Sequence, residues 1–331
     1  MELGYAISSE EHVPLDLVDN ARRAEEVGFS YALISDHFHP WIDRQGQSPF
    51  VWGVLGGIAL ATESLRIGTG VTCPTIRIHP AIVAHAAATA ASMLPGRFFL
   101  GVGTGENLNE HVLGDRWPSA SERLEMLEEA VEVMRALWTG ELQSFHGKHY
   151  RVEDARLYTL PDEPIEVVVA AAETRAAELA GRIGDGLVST APDANLVEAF
   201  LRAGGKGPRY GQVTVCYAKS EKEARRTALE QWPTAGLKGP LSQELPLPSH
   251  FEASVEIVSE DDIAERIVCG PDPANHLGAI QTFVDAGFDH VYVHQVGQDQ
   301  EAFFDFYERE VLAEAESLRA HSGEEARTVS D

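Results

Sequence analysis

The stretch Tyr31–Trp41, with the sequence YALISDHFHPW, joins an apolar run to a group of polar and aromatic side chains. Its first four residues are typical of a buried strand, and an acid, two imidazoles and an indole follow where that strand would pass into a loop. A second junction of this kind lies at 98–109, with the sequence FFLGVGTGENLN. In a barrel of parallel strands, the polar groups that follow the strands gather on one rim. His37, Trp41 and Glu106 are therefore predicted to converge on one pocket.

Eight apolar runs have the length and composition of buried strands, and amphipathic segments such as Leu15–Val27 and Ser121–Leu137 separate several of them. Repeated strand–helix units give a parallel sheet, and eight of them favour a closed (β/α)8 TIM barrel, an α/β fold, over an open doubly wound sheet. Gly28 and Gly287, each followed by Phe and a predicted strand, fit the left-handed residue that ends a helix. The predicted strands are Leu3–Ile7, Tyr31–Ser35, Leu65–Val71, Phe98–Val102, Ile165–Ala170, Gly186–Thr190, Gln212–Ala218 and His290–Gln295.

Two stretches break the strand–helix rhythm and are predicted to be insertions on the carboxyl-terminal rim of a single domain that covers residues 1–318. The first, at about 138–164, contains the sequence FHGKHY and is predicted to form a hairpin; the second, at about 219–265, is rich in proline. Long insertions of this kind commonly shape a substrate pocket or an oligomer contact. The remaining residues, 319–331, are polar and are predicted to form a flexible tail.

The chain has 331 residues and a formal net charge of −26, from 26 basic and 52 acidic side chains. This charge disfavours nucleic acid and anionic membranes as partners. Hydrophobic residues make up 44% of the chain, which is sufficient for a sizeable core, but no apolar stretch is long enough to span a bilayer. The amino terminus lacks the basic and apolar pattern of a secretion signal, so a cytoplasmic location is expected.

The cysteines Cys73, Cys216 and Cys269 are far apart in the sequence. They fit neither a metal site nor a disulfide framework, so we expect reduced thiols. The histidines do not fall at ligand spacing with carboxylates, so no metal is expected. The basic residues are mostly arginine, and many acids with few lysines suit a protein solvated in high salt; a high-GC genome would produce the same bias. A halophilic source is therefore a hypothesis that the dependence of stability on salt would test.

Four motifs that follow one another along the chain resemble those of the deazaflavin-dependent branch of the luciferase-like superfamily. They are SDHFHPW at 35–41, GTGVTCPT at 68–75, GVGTGE at 101–106 and AGRIGDG at 180–186. Within that branch, the chain is most similar to the group that contains coenzyme F420-dependent glucose-6-phosphate dehydrogenase and F420-dependent secondary alcohol dehydrogenase. The resemblance implies a luciferase-like barrel, an F420-dependent oxidoreductase that acts on CH–OH donors, and a homodimer. A small-residue helix at 80–91 is suited to close packing, either in that dimer or against the barrel.

The resemblance also implies roles for residues at the carboxyl-terminal mouth of the barrel. His37 would be the base that takes the alcohol proton as a hydride leaves for C5 of the deazaflavin, Trp41 would pack at the reacting centre, and Glu106 would act as acid or electrostatic partner. An imidazole is the usual base for this task near neutral pH, and a carboxyl group in an apolar pocket has a raised pKa that suits an acid. The positions that correspond to cofactor-binding residues are Asp36, Gly70, Val71, Thr72, Asn109, Ala171 and Ala172, with Gly70–Val71 at the place of a non-proline cis peptide.

Substrate-binding positions implied by the same resemblance are His39, Thr190 and Arg266. The sugar-phosphate dehydrogenases hold the phosphate of their substrate with basic residues. This chain keeps Arg266, but it has Asp193 where a lysine is expected and no basic residue in 241–245. Because a phosphate dianion needs two or three cationic or N–H donors, glucose 6-phosphate is predicted to be a poor substrate and a neutral alcohol or sugar a better one.

The run AAAET at 170–174 departs from the pattern of the family, which commonly has a Gly-Gly pair where the backbone approaches the phosphate of the cofactor. Ala172 and Glu173 place a Cβ and a negative charge there. Three functions therefore stay open: an F420-dependent dehydrogenase, an FMN-dependent luciferase-like monooxygenase, and a barrel that binds flavin or deazaflavin without turnover. Taken singly, His37 also suits a structural role, Trp41 a loop anchor and Glu106 a helix N-cap, and His39 suits a structural role as well as a pocket.

Overall fold

The computed structural model describes residues 1–237 and 239–319. Eight parallel strands form a closed barrel in the order β9-β11-β1-β2-β3-β4-β7-β8, and β8 pairs with β9 to complete the ring. The predicted (β/α)8 barrel is thus confirmed. The strands are β1 (Glu2–Ile7), β2 (Tyr31–Ile34), β3 (Arg66–Thr69), β4 (Phe98–Val102), β5 (Gln143–His146), β6 (Arg151–Ala155), β7 (Glu166–Ala170), β8 (Gly186–Ser189), β9 (Arg209–Cys216), β10 (Val268–Cys269) and β11 (His290–Gln295).

Every predicted strand is present, with ends that differ by a few residues. The third ends at Thr69, and the peptide bond between Gly70 and Val71 is cis. The seventh begins earlier than predicted, at Arg209. The additional strand β10 is not predicted from the sequence, because two residues carry no periodicity; it pairs in parallel with Val215 and Cys216 at the end of β9.

Helices surround the barrel, and α1 shows why they pack there. Its buried residues fall on one face, and Gly28 ends it in the left-handed conformation at a φ of 106°, as the sequence predicts. The helices are α1 (Pro14–Val27), α2 (Val51–Ala61), α3 (Pro80–Met93), α4 (Asn107–Glu110), α5 (Ala120–Leu137), α6 (Thr174–Ile183), α7 (Ala194–Arg202), α8 (Glu221–Gln231), α9 (Leu241–Glu244), α10 (Pro248–Val255), α11 (Glu260–Ala264), α12 (Pro273–Asp285), α13 (Gln300–Glu310) and α14 (Leu312–Ser317). None of the helices within the described ranges combines the length and hydropathy needed to cross a membrane.

The interior of the barrel is filled at its lower levels and more open at its mouth. A buried cluster of eight side chains plugs it, with the rings of Phe99 and Tyr210 stacked at 5.2 Å between centroids. Above this plug, Val71 and Ala170 pack on the cluster but stay only partly buried. The open end therefore has an apolar floor. The cluster consists of Ala6, Tyr31, Leu33, Phe99, Val168, Val188, Tyr210 and Tyr292.

The two irregular stretches have different structures. The first contains an antiparallel hairpin of β5 and β6, as predicted from its sequence. The second contains the short helices α8 to α11 and leads into β10. Most of the predicted tail at 319–331 lies outside the described residues, which end at residue 319. The three cysteines are free thiols; Cys73 and Cys216 are buried, and Cys269 is partly buried.

Candidate active site

His37 follows β2 and points one ring nitrogen at a buried carboxylate. Its Nδ1 lies 3.4 Å from Oε1 of Glu10 and 3.3 Å from the carbonyl oxygen of His39. Glu10 is only 2% exposed, and its Oε2 accepts hydrogen bonds from the hydroxyl groups of Ser35 at 2.8 Å and Ser8 at 3.0 Å. The carboxylate thus fixes the ring of His37 and leaves Nε2 for a bound molecule.

Glu10 is a functional candidate that the sequence predictions missed. It lies in the run SSEEH, which follows β1 in the same way that the polar run of His37 follows β2. Polar residues directly after a barrel strand are thus a signal that would have found it.

Trp41 forms a wall beside His37, with ring centroids 5.0 Å apart. The ring of Trp41 also packs against Phe251 of α10, with centroids 5.3 Å apart and the two ring planes nearly perpendicular. The backbone N–H of Trp41 donates to Oε1 of Gln45, whose Nε2 donates to the carbonyl oxygen of Gln231 at the end of α8. The second insertion therefore holds Trp41 in place from two directions.

Asn109 joins the loop of His37 to the loop of Glu106. Its Oδ1 accepts hydrogen bonds from the backbone N–H groups of Phe38 at 2.9 Å and His39 at 3.2 Å, while its Nδ2 donates to Oε2 of Glu106 at 3.3 Å. Glu106 stands at the N-cap position of α4, but its side chain makes no capping hydrogen bond. The structure thus brings the two predicted junctions together on one rim, and it does not support the N-cap role for the Glu106 side chain.

A buried charge network adjoins this rim. Oδ2 of Asp36 accepts from the hydroxyl of Thr72 at 2.7 Å, and Oδ1 accepts from Nη2 of Arg77 at 2.9 Å. The backbone N–H of Arg77 donates to Oε2 of Glu110 at 2.8 Å. Burial raises the pKa of Glu110 to about 7, because the loss of solvation outweighs the opposing influence of Arg77. Arg77 and Glu110 are not among the residues predicted from the sequence.

The floor of the mouth is apolar. Gly103 lies against Val71, and a Cβ on Gly103 would be 2.8 Å from Cγ2 of that valine. Val71 and Ala170 therefore sit close together over the plugged barrel, below the loops that carry His37 and Glu106. An apolar floor bordered by an imidazole and a carboxylate suits the apolar face of a heteroaromatic ring.

Other predicted residues have different surroundings. Nδ1 of His39 contacts the carbonyl oxygen of Leu108 at 2.9 Å, which favours the structural role for this histidine. Thr190 is exposed after β8, and Ala172 is exposed after the buried Ala171. Arg266 is exposed on the turn before β10.

No metal centre is evident in residues 1–237 and 239–319, where no three or more His, Cys, Asp or Glu side chains are arranged to hold an ion.

Comparison with known proteins gives relatives that extend over nearly the whole chain. The F420-dependent hydroxymycolic acid dehydrogenase of Mycobacterium tuberculosis is 38% identical, over 94% of this chain and 88% of that protein. The F420-dependent glucose-6-phosphate dehydrogenase of Intrasporangium calvum is 36% identical, over 94% of this chain and 98% of that protein. That of Nocardia farcinica is 34% identical, over 96% of this chain and 99% of its own length.

Among solved structures, an F420-dependent secondary alcohol dehydrogenase in complex with an F420–acetone adduct is similar, with a TM-score of 0.87 and 30% identity over 94% of this chain and 98% of that chain. The coenzyme F420-dependent tetrahydromethanopterin reductase of Methanopyrus kandleri, at 20% identity and a TM-score of 0.76 over 95% of this chain and 99% of that chain, shares the fold. The family model for luciferase-like monooxygenases matches residues 1–290. With that match and these identities, the chain belongs to the luciferase-like monooxygenase family.

Proposed function

We propose that the protein is a coenzyme F420-dependent dehydrogenase that oxidises a hydroxyl group of a neutral alcohol or sugar. The observation that carries this proposal is His37, fixed by the buried carboxylate of Glu10 at the edge of an apolar barrel mouth. The names of relatives at 34–38% identity, which are all F420-dependent dehydrogenases, support the choice of cofactor and reaction class.

The residues at the mouth fit a deazaflavin. Val71 and Ala170 form an apolar floor for a flat ring, and Gly70, Asn109, Ala171 and Ala172 correspond to cofactor-binding positions of the family. The hydroxyl of Thr72 donates a hydrogen bond to Asp36, so in this proposal the two residues fix the loop backbone that would support the deazaflavin ring. When bound there, oxidised F420 would supply the acceptor for the hydride that leaves the substrate carbon.

In the proposed reaction, Nε2 of His37 removes the proton from the substrate hydroxyl. Its Nδ1 faces Glu10 Oε1 and the carbonyl oxygen of His39, so Nδ1 carries the hydrogen and Nε2 has the free lone pair. The negative charge of Glu10 stabilises the imidazolium that forms. Glu106, oriented by Asn109, is the acid or electrostatic partner, and Trp41 limits the space beside the reacting carbon.

The same site is poorly suited to a phosphorylated sugar. The carboxylate of Asp193 accepts a hydrogen bond of 2.9 Å from the backbone N–H of Asn195 and so caps α7. By resemblance to the family, a lysine is expected at this position. Arg266 is the basic residue that remains of the expected set, and one cation does not satisfy a phosphate dianion. Glucose 6-phosphate is therefore expected to be a poor substrate; saturable turnover of it at low concentration would contradict this.

The proposal is tested by comparing the binding of oxidised F420 and FMN, followed by turnover of a panel of neutral alcohols and sugars. We expect tight binding of F420, weak binding of FMN, and loss of deazaflavin absorbance with at least one substrate. His37→Ala should keep F420 binding and lose turnover by about 10²- to 10⁴-fold. Preference for FMN with oxygen consumption would favour the monooxygenase, and F420 binding without any turnover would favour the non-catalytic barrel.

We also propose a homodimer that forms through α2 and α3. Neither helix carries an Asp, Glu, Lys or Arg, although the net charge of the chain is −26. They border an apolar groove of about 300 Å³, where Phe50 and Ile82 are 61% and 60% exposed. Two acidic copies meet with the least repulsion at an uncharged face.

The test of this interface is light scattering of two matched variants. Ile82→Glu should convert the dimer to a monomer, whereas Leu142→Glu, at a residue 65% exposed before β5, should remain dimeric. A dimer that survives Ile82→Glu would place the interface elsewhere.

A further inference from the structure

A cluster of buried polar side chains next to the candidate active site has no role in the proposed reaction. Glu11, His12 and His294 are each 3% exposed. Nε2 of His294 lies 3.5 Å from Oε2 of Glu11. Within the described residues, both nitrogen atoms of His294, Oε2 of Glu11 and Nε2 of His12 have no hydrogen-bond partner. Buried polar atoms without hydrogen-bond partners destabilise the folded protein. A bound polar molecule would supply the partners that this cluster lacks.

His294 faces the interior of the barrel near its mouth. Tyr292 belongs to the interior cluster, and side chains alternate along a strand, so His294 lies on the same face one step closer to the mouth. On the neighbouring β9, Tyr210 is also in the interior cluster, which places Gln212 and Thr214 opposite Tyr292 and His294. Gln212 and Thr214 are only partly buried, so water reaches this side of the mouth.

The cluster borders the proposed reacting centre. Glu11 follows Glu10, the carboxylate that fixes His37. The ring of His294 meets the ring of Trp232 at 4.5 Å and 72°. Trp232 directly follows Gln231, whose carbonyl oxygen is linked through Gln45 to the backbone of Trp41. Two separate connections thus place the cluster beside the side chains that would handle the reacting hydroxyl.

We propose that Glu11, His12, His294 and the ring of Trp232 form a subsite for a second, non-reacting hydroxyl group of the substrate. The inference rests on the proposed dehydrogenase function, and it narrows the substrate to a polyol or a neutral sugar. A hydroxyl group donates to Oε2 of Glu11 and accepts from a ring N–H of His294, which satisfies both atoms at once. Trp232 packs against the C–H groups of the carbon skeleton.

The charge of the cluster sets a further limit on its ligand. Burial lowers the pKa of His12, so this ring is neutral at neutral pH. Glu10 and Glu11 are adjacent carboxylates, and they repel a phosphate or carboxylate group on a substrate. A neutral hydroxyl is therefore the group that matches this lining.

The first test compares cyclohexanol with cis-cyclohexane-1,3-diol, which differ by one hydroxyl group. We expect kcat/KM of the wild-type holoenzyme to be at least about tenfold higher for the diol. In His294→Leu and Glu11→Gln, kcat/KM for the diol should fall until it is within about twofold of kcat/KM for cyclohexanol, which should change little. His146→Leu, at an exposed histidine on β5, is the matched control and should keep the preference. A preference that is absent, or that both subsite variants retain, overturns the subsite.

The second test does not depend on turnover. The ring nitrogen signals of His294, assigned by NMR from their loss in His294→Leu, are followed in the F420-bound protein during addition of the diol, D-glucose or cyclohexanol. We expect saturable shifts with the diol or glucose and none with cyclohexanol. Shifts without turnover of any alcohol would leave the subsite in place and refute the dehydrogenase. If neither the diol nor glucose shifts the His294 signals, the cluster holds water only and the proposed subsite is wrong.

Discussion

Three carboxyl groups near the barrel mouth differ in role because their surroundings differ. Glu10 accepts hydrogen bonds from two hydroxyl groups and faces His37, so its negative charge is held where an imidazolium would form. Glu106 is partly exposed and is oriented by Asn109. Glu110 is 1% exposed and accepts a hydrogen bond from the backbone N–H of Arg77. Two predictions concern single residues of this set.

Glu10→Gln should lower kcat/KM by about 10- to 100-fold, a smaller loss than His37→Ala gives. Glutamine keeps the shape of the side chain and can still accept from Ser35, but it removes the charge that stabilises protonated His37. Binding of F420, followed by fluorescence quenching, should be unchanged. Glu301→Gln, at an exposed carboxylate on α13, is the control and should be fully active. Wild-type kcat/KM in Glu10→Gln would refute the role given to Glu10.

Glu110→Gln should change how stability depends on pH. The pKa of Glu110 rises from 4.5 in the unfolded chain to about 7 in the folded protein. The folded state therefore binds this proton more tightly, and the stability it contributes is present below pH 4.5 and is lost as the pH rises through 7. The full loss is about 3 kcal/mol, of which about 2 kcal/mol falls between pH 5.5 and pH 8.5.

Urea unfolding of both proteins at pH 5.5 and pH 8.5 measures this effect. The wild type should lose stability over this interval relative to Glu110→Gln, whose amide still accepts from the N–H of Arg77. Parallel pH profiles for the two proteins would contradict the raised pKa.

At the scale of elements, the second insertion contributes more to the site than its sequence suggests. Phe251 of α10 supports Trp41, and Trp232 after α8 covers His294. The short helix α9 is attached to the barrel because the carbonyl oxygen of Glu244 accepts from Nδ2 of Asn107. The insertion is thus fastened to several barrel loops, and its residues enclose one side of the proposed pocket.

The start of α6 carries the departure from the family pattern. Glu173 is exposed at the N-cap position and makes no capping hydrogen bond. Glu173→Ser should raise the affinity for F420 several-fold, because it removes a negative charge near the proposed phosphate position and supplies a favourable N-cap. Fluorescence titration with F420 measures this. A deazaflavin without the phosphate is the control ligand, and its affinity should not change. An equal gain for both ligands would show that Glu173 does not face the phosphate.

At the scale of the whole molecule, the distribution of charge is the main unusual property. Acidic side chains outnumber basic ones by two to one, with 52 against 26. Many of the arginines are already paired at the surface, as Arg23 is with Glu301 and Asp305. The excess acids therefore repel one another, and this repulsion destabilises the compact state.

Salt should accordingly stabilise the protein. Raising the NaCl concentration from 0.01 M to 1 M at pH 7.5 should raise Tm by at least about 3 °C, since screening weakens repulsion among exposed charges. The effect should shrink at pH 5, close to the isoelectric point of 4.8. A Tm at pH 7.5 that does not depend on salt would argue against adaptation to high salt.

The sequence predicted the positions of strands better than it predicted contacts between side chains. The runs that became β1, β4 and β11 were predicted to within one residue, because nearly all of their side chains are buried and their central residues are mostly apolar. The link between Glu10 and His37 was not predictable in this way. It depends on how the loops after β1 and β2 fold over adjacent strands, and no local pattern encodes that approach.

The sequence by itself determined the barrel, its strand positions and the polar residues that follow the strands, since these depend on hydrophobic patterning between near neighbours in the chain. Only the tertiary structure decided which of those residues meet. It paired Asp36 with Thr72 and Arg77, used His39 to join two loops, and brought Glu11 to His294 from opposite ends of the chain. The physical reason is closure of the barrel. Joining β11 to β1 places residues that are far apart in sequence side by side, where burial and charge then set their chemistry.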